Sequence, residues 1–515
     1  MHGELVTLHR WLDALPADLI RARPRLCLAS ALALAYSGGR ERVEGYLQQA
    51  EAALIAAGET SGADAVRGEI TALRAVVASV NWAGTCSLDL ARQALQLLPS
   101  TGSDEDLWLR VLTLQAQGNC HRFQGEVREA EESYTEALTI ARTLDSPFLA
   151  QAITNRLGQN QILQGRLRQA VQTFEAALGQ AEERGGELAW FSAELHAHLS
   201  RVHTEWNDLE QALQYAQQSI ELSRQAENHL SLLEGYLALS GVQAARGEAD
   251  AARLALDQAQ PLAVESGVPY LEAEVAAQRA WLAMLSGGSG APLDTIQPWT
   301  EAWAFQRAQA ANDELPLILR EVQDLILARF WLGQGRLDEA LGLLAEIQPA
   351  AERAGRMGAL IQVLVLRAAA LQKQNDQAQA RDTLARALAL GQPEGYARTF
   401  LDAGPPLRIL IRDYRLAVAG SHQVSTAFLA YMDRLLAAFP GPTTPRTGVQ
   451  SLLTAREMEI LALMAGGASN QEIAARLVVT VGTVKGHVNH ILDKLEAHNR
   501  TEAVARARKL GLLER

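Results

Sequence analysis

A short signature punctuates the apolar blocks of this chain: a Gly or Asn, then an Ala five residues later. Gly125-Glu-Val-Arg-Glu-Ala130 recurs at Gly165–Ala170, Asn207–Ala212, Gly247–Ala252, Gly335–Ala340 and Asn375–Ala380, with starts 40, 42, 40, 88 and 40 residues apart. The interval of 88 spans two periods, with a degenerate copy near Gly290, and weaker copies start near Gly39 and Gly84. Seven residues before each turn stands a small residue: Gly118, Gly158, Ser200, Ser240, Ala328 or Ala368. Nine residues after it stands Tyr134, Phe174, Ala216, Leu256, Leu344 or Leu384. Gly and Asn tolerate the left-handed backbone that ends a helix. The pattern therefore predicts a helix, a tight turn and a second helix. The small residues let the two helices approach closely, and the bulky position is expected to fill the space between neighbouring repeats.

One such hairpin cannot bury its apolar face alone, but a stack of them can. About nine hairpins are expected, forming a right-handed superhelix with a concave inner surface. The array resembles the tetratricopeptide repeat, whose period is about 34 residues, and its longer period resembles the helical-repeat domain of MalT-like regulators. The expected fold is all-α: a tetratricopeptide-like superhelix over residues 1–390, a connecting helical segment over 391–439, a linker over 440–450 and a four-helix domain over 451–515. The linker, Pro440-Gly-Pro-Thr-Thr-Pro-Arg-Thr-Gly448, carries three prolines and two glycines and cannot hold a helix.

The last segment changes the reading. Thr454-Ala-Arg-Glu457 and Ser469-Asn-Gln-Glu472 are capping boxes, each opening a helix. Ile460, Leu461 and Met464 line the first helix; Ile473, Ala474 and Leu477 line the second. A third, longer helix over 481–495 buries Val484, Val488, Ile491, Leu492 and Leu495, and a fourth opens at Thr501. Two short helices followed by a longer one form a helix-turn-helix. The opposite face of the third helix carries Gly482, Lys485, Gly486, Asn489 and Asp493, polar and without bulk. Lysine can meet guanine or a phosphate and asparagine can pair with adenine, although a solvated helix face has similar chemistry.

Charge fits this division. Residues 451–515 hold nine Lys+Arg and seven Asp+Glu, a net of +2, so the other 450 residues carry −14 of the chain's −12. An acidic body repels a polyanion, so nucleic-acid contact is expected in the tail. No aromatic residue follows Phe439, which disfavours single-stranded nucleic acid, whose binding uses stacking rings. The three cysteines, Cys27, Cys86 and Cys120, form no Cys-x-x-Cys pair and predict no disulfide framework, a cytoplasmic setting and no metal site. His196, His198 and His203 read as structural or exposed histidines. The longest apolar run, Leu26 to Tyr36, is too short to span a bilayer. No catalytic constellation and no P-loop is present; a P-loop needs Lys followed by Ser or Thr, a pair this chain lacks.

Leu453-Thr-Ala-Arg-Glu457, Ser469-Asn-Gln-Glu-Ile-Ala474, Thr483-Val-Lys-Gly-His487 and Asn499-Arg-Thr-Glu-Ala503 resemble the LuxR-type DNA-binding domain in order and spacing. The resemblance implies that the helix carrying Thr483, Val484, Lys485, Gly486 and His487 enters the major groove. It implies base contacts from Lys485, Gly486 and Asn489. It implies phosphate contacts from Thr454, Arg456, Thr483, Lys494 and Arg500, and a dimer contact along helix 501–510. Two departures stand out: the position of Asn489 is often basic in relatives, and Gly486 weakens a helix interior by about 1 kcal/mol against alanine. With the repeats and the segment Pro393–Pro406, the tail resembles the large ATP-binding, MalT-like subgroup of LuxR-type regulators, here without the N-terminal nucleotide-binding domain. Such a chain, a natural short form or a fragment, is expected to be a transcriptional regulator and not an enzyme. Its expected partners are double-stranded DNA, bound as a homodimer, a small-molecule or protein effector in the superhelix groove, and RNA polymerase, with no cofactor. The alternative is an adaptor or scaffold whose repeats bind partner proteins and whose tail only dimerises.

Overall fold

The computed structural model describes residues 11–12, 14–37, 42–56, 63–81, 88–99, 101–183, 189–286, 297–308, 315–419, 424–439, 460–461, 463–465, 468–477, 484, 488, 491–492, 497 and 500–509. The chain divides into two compact units, Met1–Ala438 and Phe439–Arg515. Every described element is helical.

The first unit stacks nine helical pairs among the described residues. They run from Pro24–Ser37 with Val43–Ala56 to Met357–Lys373 with Gln377–Gly391. The six turn residues named above all have positive φ, from 62° at Asn207 to 80° at Gly247. The alanine five residues on is sealed from solvent in every copy. The degenerate and weak copies near Gly290, Gly39 and Gly84 lie outside the described residues.

The bulky residue behaves differently from expectation. It packs inside its own hairpin, over the small residue of the preceding helix. A Cβ on Gly118 would come within 2.5 Å of the Tyr134 ring, and one on Gly158 within 2.2 Å of the Phe174 ring. Where the pair is Ser200 and Ala216, the space is closed by approach of the helices, and Ser200 Oγ donates to Ala212 O at 2.8 Å. Ring and glycine are thus complementary halves of one contact, which explains why the ring appears only where the facing residue is glycine. Burying each such ring contributes about 1.5–3 kcal/mol.

Turns between successive hairpins were not legible in the repeat signature. Asp145, Glu227, Gly267 and Gly355 occupy them with positive φ. The next helix is then capped locally: Asn228 accepts from Leu230 and Ser231 N–H at 3.1 Å. Cys27 is a free buried thiol, whereas Cys120 is disulfide-bonded, a single bridge where the sequence predicts no disulfide framework.

The array curls until one coil touches the next. The turns inside the earlier hairpins meet the turns between the later ones. Arg356 is 4% exposed and donates from Nε and Nη2 to the Glu321 carboxylate at 2.7–3.2 Å, and from Nη1 to Gly125 O at 3.1 Å, 231 residues away. The backbone at Gly165 lies against Met357. The segment after the last repeat completes this seam. Trp206 Nε1 donates to Glu394 O at 2.7 Å. Arg168 donates from its backbone N–H to the Glu394 carboxylate and from Nε to Pro393 O. Glu205 accepts from Ala397 N–H, Thr399 N–H and Thr399 Oγ1 at 3.0–3.2 Å. Pro393–Pro406 therefore buckles the array to turns that precede it by about 190 residues, and the helices Pro405–Val418 and Thr426–Ala438 pack beyond it.

Candidate functional site

In the second unit, one apolar cluster gathers Ile460, Leu461, Met464, Ile473, Ala474, Val484, Ile491, Ala497, Ala503 and Ala507. Its members come from all four stretches read as helices. The second capping box is formed: Ser469 N–H donates to Glu472 Oε2 at 2.7 Å and Glu472 N–H to Ser469 Oγ at 3.3 Å. This opens the helix Asn470–Leu477 and holds the Glu472 carboxyl below its usual range. In the third stretch the described residues 484, 488, 491 and 492 are helical, with Val484 and Ile491 fully buried. The fourth helix is Arg500–Lys509.

Of the residues assigned to DNA contact, Arg500 is described. Its guanidinium donates to Met464 O and Ala468 O, tying the start of the fourth helix to the carbonyls that end the first. Thr454, Arg456, Thr483, Lys485, Gly486, His487, Asn489 and Lys494 lie outside the described residues.

A second set of polar residues lies in the first unit; apart from His198, read as structural or exposed, its members were not singled out from sequence. The first helices of five successive hairpins, Asp104–Phe123, Pro147–Leu163, Ala189–Glu205, His229–Ala245 and Pro269–Ser286, bring charged side chains together. Phe123 and Tyr270, from the first and last of these, meet at 5.6 Å between centroids with their planes tilted by 55°, so the first and last helices touch and the inner faces of the five surround a space, the lumen. Arg201 bridges Glu234 at 2.6 Å and Glu274 at 3.5 Å. Glu194 accepts from Asn155 Nδ2 at 2.5 Å, and Asn155 and His198 are joined by Gln159. Burial, then Arg201, Arg156 and Arg122, hold the His198 imidazole well below its ordinary pKa and hence neutral. Burial and the adjoining Glu234 charge push the Glu274 carboxyl up to about 7. One periodic signal existed: Glu194, Glu234 and Glu274 stand 40 residues apart, at one register of three successive repeats.

These two units define a class: a helical-repeat body joined to a helix-turn-helix domain of the kind found in bacterial regulators. Residues 68–416 match the family described as the MalT-like TPR region, and residues 451–507 match the bacterial regulatory proteins of the luxR family. The first match covers more than half of the sequence, and the chain belongs to the MalT-like TPR-region family. It is similar to the HTH-type transcriptional regulators MalT of Vibrio campbellii and Yersinia pestis, each 26% identical over 99% of this chain and 56% of the relative. It thus spans about half the length of the curated relatives it matches. Its fold is similar to that of a Rap protein solved in complex with competence and sporulation factor, with a TM-score of 0.53 and 14% identity over 72% of this chain and 98% of that one. No described helix is long and apolar enough to cross a membrane.

Proposed function

We propose that this chain is a DNA-binding transcriptional regulator whose C-terminal domain binds duplex DNA as a dimer, under control of an effector bound by the repeat body. The observation that carries this reading is the luxR-family match over residues 451–507, in a unit whose described residues share one apolar core. A helix that turns Val484, Val488 and Ile491 inward has its opposite face free for a major groove. On this reading Lys485, Gly486 and Asn489 meet base edges within the Thr483–His487 motif. Thr454, Arg456, Thr483, Lys494 and Arg500 meet phosphates, Arg500 with donors left over from its two carbonyl contacts. The regulator works in the cytoplasm and engages RNA polymerase. Residues 1–390, 391–439, 440–450 and 451–515 serve as sensor, connector, linker and DNA-binding domain.

Effector control requires different affinities for two arrangements of the body. The test is fluorescence anisotropy of the full chain on duplexes recovered by in-vitro selection. Lys485→Ala is expected to weaken specific binding by about 1–3 kcal/mol. Affinity should fall steeply with salt as counterions are released. Unchanged affinity of Lys485→Ala rejects Lys485 as a base reader. Absence of any salt-dependent duplex binding rejects the regulator reading in favour of an adaptor.

A further inference from the structure

We propose that the lumen of the repeat body binds a small zwitterion, an α-amino acid or a short peptide, with its carboxylate on Arg122 and Arg156 and its ammonium group on Glu234 and Glu274. This rests on the effector-binding role proposed above and names the chemistry of the effector.

The site is bipolar. At one end stand Arg122 and Arg156, from adjacent hairpins, which have no carboxylate ion-pair partner among the described residues. Arg122 lies over the Phe123 ring at 4.6 Å, and its buried Nε has no hydrogen-bond partner. Arg156 makes a long contact, 3.4 Å from Nη1 to Gln159 Oε1. Both arginines act on Tyr134, Tyr270 and His198, so their fields converge on one place. At the other end, Glu234 and Glu274 share the single guanidinium of Arg201, and the Glu274 carboxyl is raised by burial and by Glu234. Glu194 and Glu234 act on Arg156 and Arg122 acts on Glu274, yet among the described residues neither Arg122 nor Arg156 closes an ion pair with a carboxylate, so the two sets of charges face each other without meeting.

Accessibility separates this network from a purely structural one. In the seam, Arg356 and Glu321 are sealed, at 4% and 10% side-chain exposure. In the lumen, Arg201, Glu234 and Glu274 keep 36%, 24% and 29%. These groups are surrounded by protein yet reached by solvent. A simple anion would meet Glu194, Glu234 and Glu274, and a simple cation would meet three arginines. A molecule carrying both charges satisfies both ends through charge-assisted hydrogen bonds. The Phe123–Tyr270 pair supplies an apolar wall for its remainder.

The test is isothermal titration calorimetry on the full chain without DNA. The probes are an equimolar mixture of the proteinogenic L-amino acids, then triglycine and trialanine, then N-acetyl-triglycine amide. Binding of the mixture points to a free amino acid, and binding of the tripeptides to a peptide; either supports the proposal. The blocked peptide is expected not to bind. Arg156→Ala and Glu274→Ala are each expected to weaken binding about tenfold or more, with helicity unchanged by circular dichroism. Arg156→Lys, which keeps the charge, should recover part of the loss. Binding of none of the zwitterions, equal binding of the blocked peptide, or full affinity in Arg156→Ala overturns the proposal. Lys485→Ala should bind the zwitterion like the unaltered chain, so a failure of DNA recognition and a failure of this site are read separately.

Discussion

Replacing Arg356 by Met tests whether the coil-to-coil seam holds the repeat body together. The substitution keeps much of the side-chain volume and removes three kinds of contact: the fork on Glu321, the bond to Gly125 O and the charge itself. What remains is a carboxylate with 10% exposure and no counter-ion. Breaking a buried pair from one side costs about 3–5 kcal/mol, because the surviving charge stays buried. The loss should be local, since Gly125 and Arg356 are joined across 231 residues by this side chain. Hydrogen exchange in the full chain reads it directly. Amides around the turn at Gly125 and along Leu317–Gly333 should exchange roughly a hundredfold or more faster, while those of Leu209–Gln225 stay close to their original rates. The double variant Arg356→Met with Glu321→Met should regain most of the loss, because two apolar side chains of matching size need no counter-charge. An effect below about 1 kcal/mol in the single variant, or no recovery in the double, would show that the pair does not hold the seam.

Two further outcomes follow from the geometry. Gly158→Ala puts a Cβ within 2.2 Å of the Phe174 ring and is expected to destabilise the body by about 1–3 kcal/mol; adding Phe174→Leu should return part of this in a urea melt, and a harmless single variant would refute the ring-on-glycine contact. Burial raises the Glu205 carboxyl from 4.5 to about 7, so between those values the folded chain holds a proton that the unfolded chain has lost. This group's contribution therefore falls as pH rises through that window, by at most about 3 kcal/mol. His198, pushed the opposite way by burial, contributes with opposite sign, so the observable is a difference. Glu205→Gln should lose less thermal stability than the unaltered chain between pH 5 and pH 8, and parallel curves would refute the assignment.

How much of this was legible in the sequence depends on the range of the contact. The hairpins were legible because a positive-φ turn restricts its residue sharply, so Gly125 and Asn375 announce themselves. Gly158 was legible as a point of close helix approach, but Phe174 was assigned to the space between repeats, because sequence spacing cannot say whether a ring reaches its own hairpin or the next one. Asp145 and Glu227 adopt left-handed backbone without the residue type that signals it. The seam was invisible for another reason: Arg356 and Gly125 belong to different registers of different repeats, and no period relates them. In the tail, the apolar stripe through Val484 and Ile491 and the box at Ser469 were readable, since both follow from helical spacing. The lumen arginines occupy a different register in each repeat, and only the glutamate ladder kept the 40-residue step.

Linear repeat arrays ordinarily answer only to their nearest neighbours, so they can fray from an end or lengthen by a unit at little cost. Here the edge of one winding is screwed down on the edge of another about 190 residues away. Such a thread has a fixed pitch. Adding or removing one unit of some 40 residues between Trp206 and the buckle would carry Glu205 and Trp206 past their partners, so the count of units, and not merely their sequence, becomes part of what is folded. The body then behaves less like a zipper than like a coiled spring wired shut, in which a disturbance at one winding is felt by the next without travelling through the units between.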